Sequence, residues 1–226
     1  MNRNSTSMLY LGTFLCAVCA IATGIMGYAA VVTKGPIEEA KVRKVADGLS
    51  MVLPAFDNNP MKDMKTFQAK DHTPVQFYIA KKGGTLVGVA ATLYVTNGYA
   101  GRIDGLVSFH PDGTIRSFLI TGHSETPGLG TNVTDRTEEK TLAGLFRGSP
   151  KKEGLPPNRI LDQFSGHGAG RNDSWTTTPW KVKKDGGQSE FISGATISSR
   201  AVNDLAWKAA SVFEEHRKEL TGTEAK

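Results

Sequence analysis

A chain of 226 residues has room for one good-sized domain, with or without an attachment segment. Lysine and arginine number 27 against 22 acidic residues, a net charge of +5, and no dense basic run alternates with aromatics, which argues against nucleic-acid binding. The two cysteines, Cys16 and Cys19, both fall in an apolar N-terminal stretch, so disulfides and cysteine-bound iron–sulfur clusters are excluded from everything after it.

No charged side chain occurs over residues 4–33, and the core of that stretch, "MLYLGTFLCAVCAIATGIMGYAAVV", is long enough to cross a bilayer with some tilt. Tyr10 and Tyr28 lie near its ends, where amphipathic rings prefer the headgroup level. The expected layout is a tail over residues 1–7, a transmembrane anchor over 8–33 and one domain over 34–226. A cleaved signal peptide is the rival, with Gly27 and Ala29 imitating its small-residue site, but the apolar run is long for one. The C-x-x-C of Cys16 and Cys19 lacks any charged or His-bearing surroundings, and Ala20 follows it, so it reads as two small apolar residues of a membrane helix. Arg3 precedes the span while Lys34, Lys41, Arg43 and Lys44 follow it. That count favours a cytoplasmic domain, yet long domains translocate largely regardless of charge, and the residues leave the side open.

After the span, Pro36 fits a first helical turn, and Val42, Val45, Leu49, Val52 and Leu53 recur at helical spacing until Pro54. Residues 54–74 read as irregular. "VQFYIA" and "TLVGVAATLYV" read as strands joined by "KKGG", and "RIDGLVSFH" and "TIRSFLIT" as a second hairpin around "PDG". A glycine-rich loop "GHSETPGLGTNV" follows, then a short helix over 138–146. Residues 148–178, rich in Gly, Pro, Ser, Asn and Thr, read as long surface loop, with "PWKVKK" as one further strand. The last element is a helix with Val202, Leu205, Ala206, Ala209 and Phe213 on one stripe. The expected fold is α+β: antiparallel hairpins with packed helices behind a single N-terminal membrane helix.

Neither a phosphate-binding P-loop nor an H-E-x-x-H is present. "GHGAGR" (166–171) lacks the strand before and helix after that a nucleotide loop needs, and reads as a flexible loop. The five histidines are scattered; His110 beside its turn and His216 on the last helix read as surface residues. Two stretches carry more. "HSETPGLG" (123–130) combines Pro127 with Gly128 and Gly130, which bring backbone close to something flat or bulky, though taken alone the stretch reads first as a plain Pro-Gly turn after a strand. "SGAT" (193–196) stands at the start of the last helix. With Ser198 or Ser199 as cap, Thr196 would hold its hydroxyl where free N–H groups and the helix dipole favour a phosphate. A capped helix start is the plain alternative.

Taken together, the N-terminal span, "GYAGRIDGLV", "HPDGTI", "HSETPGLG", "WKVKKDGGQSEFISGATISSRAV" and the C-terminal helix, in that order, resemble the Rnf electron-transport complex's RnfG (or RsxG) family over nearly the full length. That family is related to the NqrC component of the sodium-translocating NADH:quinone reductase. The resemblance implies FMN carried covalently on the threonine of "SGAT", here Thr196, through a phosphoester. It implies a flavin transferase that supplies FMN from FAD during maturation. In the matching motif the acidic residue six positions ahead of the threonine is usually Asp; here it is Glu190. Glu125, Thr126, Leu129 and Gly130 are the implied contacts along the flavin ring, with Ser193, Gly194 and Ala195 near the ribityl phosphate. The same resemblance implies a domain on the extracytoplasmic side of the inner membrane, with the other Rnf proteins and membrane lipid as partners. Its function would be electron relay in a complex that couples ferredoxin–NAD electron exchange to ion translocation, and the chain alone would not turn over. The quinone-reductase component, an unflavinylated membrane-anchored scaffold and, more remotely, a hydrolase using Thr196 or Ser193 are the alternatives.

Overall fold

The structure, a computed structural model, describes residues 3–137, 154–170 and 175–222. The chain divides into two units, residues 1–45 and 46–226. The described residues of the first are all helix: α1 (Arg3–Val52) runs 50 residues, and its described side chains in this unit are exposed nearly throughout. From Met8 it is long and apolar enough to cross a membrane, with a mean hydropathy of 2.1 in its most apolar window. Pro36 lies inside α1 rather than opening a second helix. The ring removes one i→i−4 bond and crowds the preceding turn, yet the helix runs on past it through Glu38, Glu39 and Ala40.

The second unit is built on a five-stranded antiparallel sheet in sequential order: β1 (Met64–Gln68), β2 (Pro74–Lys82), β3 (Thr85–Gly98), β4 (Gly101–Phe109) and β5 (Ile115–Gly122). The registers Tyr78↔Ala90, Leu93↔Gly105 and Leu106↔Leu119 put Val75, Phe77, Val89, Ala91, Leu93, Val107 and Phe109 on one face. Onto that face packs the helix α4 (Thr196–Glu215), whose Val202, Leu205, Ala206, Ala209 and Phe213 are all fully buried, the stripe expected from spacing. Phe213 stacks on Phe109 at 4.7 Å. Gly105 lacks the side chain that would meet Leu205 at 2.6 Å, so the helix seats closely on β4. The opposite face is covered at one end by the last turn of α1: Gly48 leaves room for Leu106, Leu49 and Val52 are buried, and Ser108 Oγ donates to the Val52 carbonyl at 3.0 Å.

The α+β architecture agrees with the sequence reading, with local differences. Residues 54–74 contain β1, whose "MKTFQ" is mostly exposed; an edge strand with little to bury shows no apolar alternation. Residues 148–178 are more than loop in their described part. Asn158 opens a short helix, α3 (Arg159–Asp162), and Ile160, Leu161 and Phe164 enter the core, with Trp175 packed against it. "PWKVKK" forms only a single bridge, Val182 to Ser189, followed by a 3-10 turn at Lys183–Asp185. The segment from Gly166 packs against β5, since Ile115 N–H donates to His167 O at 2.7 Å and Gly166 N–H to Ile115 O at 2.8 Å. His216 is no plain surface residue either, as its ring stacks on Phe67 at 4.0 Å. The helix expected over 138–146 lies outside the described residues. A short helix, α2 (Thr131–Thr134), follows the 123–130 segment, and α5 (Arg217–Thr221) closes the domain.

Candidate functional site

A cleft of about 330 Å³ opens where three segments meet: the β3–β4 turn, the 125–130 segment and the start of α4. Its volume sits at the lower end of the range of small-molecule sites, about 300–1,000 Å³. Glu125, Thr126, Leu129 and Gly130 line one side, and Ser193, Gly194, Ala195 and Thr196 the other. All eight residues singled out from two separate stretches of sequence therefore face one hollow. Tyr99, Ile197 and Ser198 line it as well and were not anticipated. The "GYAG" turn containing Tyr99 was visible only as part of a resemblance, and nothing local marked its ring.

The rim is unusually apolar for a surface. Tyr99 is 67% exposed, Leu129 50% and Ile197 46%. Of the large apolar side chains that the described part of the 46–226 unit exposes, only Met51 and Met64 lie elsewhere. Exposed apolar side chains gathered around a hollow mark a binding surface. A larger hollow of about 480 Å³, between β1 and α5, is lined by charged side chains such as Lys65, Lys81 and Glu219.

Backbone geometry explains why these residue types stand here. A 3-10 turn over Ser193–Ala195 leads directly into α4, so Ser193 and Gly194 stay exposed while Ala195 is buried. Thr196 is the first residue of the helix, and its Oγ1 donates to Ser193 O at 3.1 Å. Neither Ser198 nor Ser199 caps α4, contrary to expectation. The helix starts at Thr196, which carries both serines inside its first turn, and no side chain caps Ala195. Ser199 Oγ accepts from Ile192 N–H at 3.2 Å and donates to Ala195 O at 2.9 Å, bracing the turn from within. The first N–H groups of α4 have no intrahelical partner by geometry, and they carry the positive end of a 20-residue helix.

On the opposite wall, Gly128 adopts φ 77°, a conformation that L side chains rarely take, and its N–H donates to Thr131 Oγ1 at 2.9 Å. Asn132 Nδ2 returns a bond to Gly128 O at 2.8 Å. Glu125 is turned inward and is 4% exposed, its carboxylate accepting from Ser198 Oγ at 2.7 Å and from Ala100 N–H at 3.3 Å. His123 Nδ1 accepts from Glu125 N–H at 3.2 Å, which places the ring proton on Nε2, 2.6 Å from Asp135 Oδ1. Asn158 holds the far end of this segment: its Nδ2 donates to Asp135 O at 2.7 Å while its Oδ1 accepts from Ile160 and Leu161 N–H.

Glu190 does not line the cleft. Its carboxylate pairs with Lys183 and, at 3.6 Å, with Arg159. The Lys183 hydrogen bond holds it below the usual glutamate range. Among the described residues no group of three His, Cys, Asp or Glu stands close enough to hold a metal ion. No base lies on Thr196, whose hydroxyl bonds only a backbone carbonyl among the described contacts, an arrangement unlike an activated nucleophile.

Comparison with known proteins follows the same segments. An FMN-binding domain matches residues 98–211, which run from the β3–β4 turn through most of α4 and so contain every wall of the cleft. Over 219 residues the chain is 30% identical to the G component of the ion-translocating oxidoreductase complex of Cereibacter sphaeroides, covering 95% of this chain and 88% of that protein. It is 32% identical to the same component from Cronobacter sakazakii (88% and 86% covered) and 26% identical to that from Vibrio cholerae (92% and 91% covered).

Proposed function

The chain belongs to the family of G components of ion-translocating oxidoreductase complexes and carries an FMN-binding domain, and from this we propose that it is an electron-transfer component of an Rnf-type membrane complex, with FMN held covalently on Thr196. One observation carries the reading: two stretches of sequence marked independently, "ETPGLG" and "SGAT", form opposite walls of one apolar-rimmed cleft.

The residues present suit that group. An isoalloxazine ring is a flat apolar plate with a polar edge; Leu129, Ile197 and Tyr99 offer the apolar contact and Thr126 a hydroxyl. Exposed Gly194 admits close approach of the backbone. The uncapped start of α4 suits a phosphate, and a phosphoester on Thr196 Oγ1 stands at that helix end by construction. When bound, the flavin supplies transfer of electrons singly or in pairs. The chain's own part is to hold it, shield part of the ring from water and leave an edge open to a partner. Maturation forms the bond between Thr196 Oγ1 and phosphorus as the pyrophosphate of FAD breaks, with AMP leaving and the hydroxyl proton lost, catalysed by a separate flavin transferase.

We place residues 8–33 as a single-pass anchor in the inner membrane and residues 34–226 as the FMN-binding domain on its extracytoplasmic side. The other proteins of the complex and the surrounding lipid are its partners, and the complex couples ferredoxin–NAD electron exchange to ion movement. No observation favours the quinone-reductase component over this reading.

The test is co-expression with a flavin transferase, purification, denaturation in SDS and in-gel fluorescence, with Thr196→Ala alongside. A fluorescent parent, a dark variant and a mass increase of one FMN are expected. A dark parent, with the transferase active on a control substrate, overturns covalent attachment and leaves a scaffold domain as the better reading.

A further inference from the structure

We propose that Glu125 is a positioning residue: a buried latch, aimed by His123, that joins the 125–130 segment to the first turn of α4 and to the β3–β4 turn, and so sets the shape of the cleft. The inference rests on the reading above only in taking the cleft as the flavin's.

The burial is the first argument. A carboxylate that is 4% exposed is costly unless satisfied, and among the described residues no lysine, arginine or histidine forms an ion pair with Glu125. What satisfies it comes from two different elements: the Ser198 hydroxyl of α4 at 2.7 Å, and the Ala100 N–H of the β3–β4 turn at 3.3 Å. With Glu125 itself on the third wall, one side chain ties together every segment that forms the cleft.

The surroundings are shaped to this group. A Cβ at Gly98 would lie 2.6 Å from Glu125 Oε1, and a Cβ at Gly130 would lie 2.7 Å from both Glu125 Cβ and Oε2. Two elements have given up their side chains at the positions where the carboxylate is seated. Its backbone is fixed too, because the imidazole Nδ1 of His123 receives the Glu125 N–H while Nε2–H is held by Asp135. Thr134 Oγ1 donates to the same Asp135 oxygen at 3.0 Å, so the base of the segment is clasped from both ends. Ring contact with a ligand would use none of these bonds; their common effect is to tie the 125–130 segment to the first turn of α4 and to the β3–β4 turn.

The experiment uses the full chain in detergent, expressed without a flavin transferase, so that it reads the latch and not the cofactor. Hydrogen exchange is followed by mass spectrometry over residues 98–101, 125–131 and 192–199 in Glu125→Gln, Ser198→Ala and the double variant. Each single variant is expected to speed exchange in all three segments by about tenfold, with strands β3 and β4 away from the turn unchanged. The double variant is expected to fall short of the sum of the two singles, since both changes act on the same contact between residues 125 and 198. As a second readout, the initial rate of FMN attachment by the transferase should fall about tenfold in Glu125→Gln while the melting temperature hardly moves. Glu125→Asp, one methylene short of Ser198, should not restore the rate. Exchange that rises only in the variant's own segment, or additive effects in the double variant, overturns the latch. So does unchanged exchange combined with impaired flavin retention, which would make Glu125 a direct contact. If Glu125→Gln does not fold, Ser198→Ala decides by the same comparison across the three segments. A chain that never takes up flavin would sink the functional reading and leave the exchange result standing.

Discussion

Replacing Asn158 by alanine tests how the site is supported from below. Asn158 is 7% exposed and works in two directions. Its Oδ1 accepts from Ile160 N–H at 2.8 Å and Leu161 N–H at 3.0 Å, capping α3, while its Nδ2 donates to Asp135 O at 2.7 Å. Longer contacts to Val133 O at 3.3 Å and Asn132 O at 3.4 Å add little. Losing the cap costs about 1 kcal/mol. Stranding the Asp135 carbonyl costs about 1–3 kcal/mol more. The sum is about 2–4 kcal/mol, which at about 2–4 °C per kcal/mol for a unit of this size lowers the melting temperature by about 5–15 °C. Circular dichroism of the detergent-solubilised chain measures it. Asn158→Asp separates the two halves: it keeps the cap but turns a carboxylate oxygen toward the carbonyls, so it should lose at least as much as alanine. An Asn158→Asp variant that melts with the parent would refute the role given to the amide donor.

Two further tests address packing and charge. Gly105→Ala puts a Cβ 2.6 Å from Leu205 Cδ2 and 3.2 Å from Phe118 Cε2, and should destabilise the domain by about 1–3 kcal/mol in urea unfolding. Combined with Leu205→Ala, itself costly at about 2–5 kcal/mol, the loss should be less than the sum of the two singles, and strict additivity would show that the clash lies elsewhere. Asp71 is held down to about 2, chiefly by its hydrogen bond from Lys208 Nζ at 2.7 Å. A depressed carboxylate contributes stability that is present above the unfolded value of 3.8 and lost as pH falls through about 2. Its side chain is 46% exposed, so the contribution stays below about 1 kcal/mol. In Lys208→Met the carboxyl resonance of Asp71 should titrate well above 2, toward its ordinary value, and a midpoint still near 2 would assign the shift to something other than Lys208.

Strong periodicity was legible. The stripe from Val202 to Phe213 and the two hairpins depend on neighbours along the chain, and the structure has both. Weak or interrupted patterns were not. β1 is an edge strand of polar residues, and α3 is four residues set among glycines and prolines, where composition hides Ile160, Leu161 and Phe164. Pro36 misled because a local breaking signal does not register the long helix on either side of it.

At the site the division is sharper. Local conformational preference, readable along the chain, already had a threonine preceded by small residues opening the last helix and a Pro-Gly segment supplying exposed backbone. Folding in three dimensions added that these segments face each other, that Tyr99 and Ile197 complete the apolar rim, and that Ser198 turns inward to Glu125 instead of capping. A hydroxyl or a carboxylate can satisfy itself with any partner within reach. Which partner is within reach is set by the packing of α4 on β3 and β4, through contacts such as Gly105 with Leu205 that lie far along the chain from the residues they bring together.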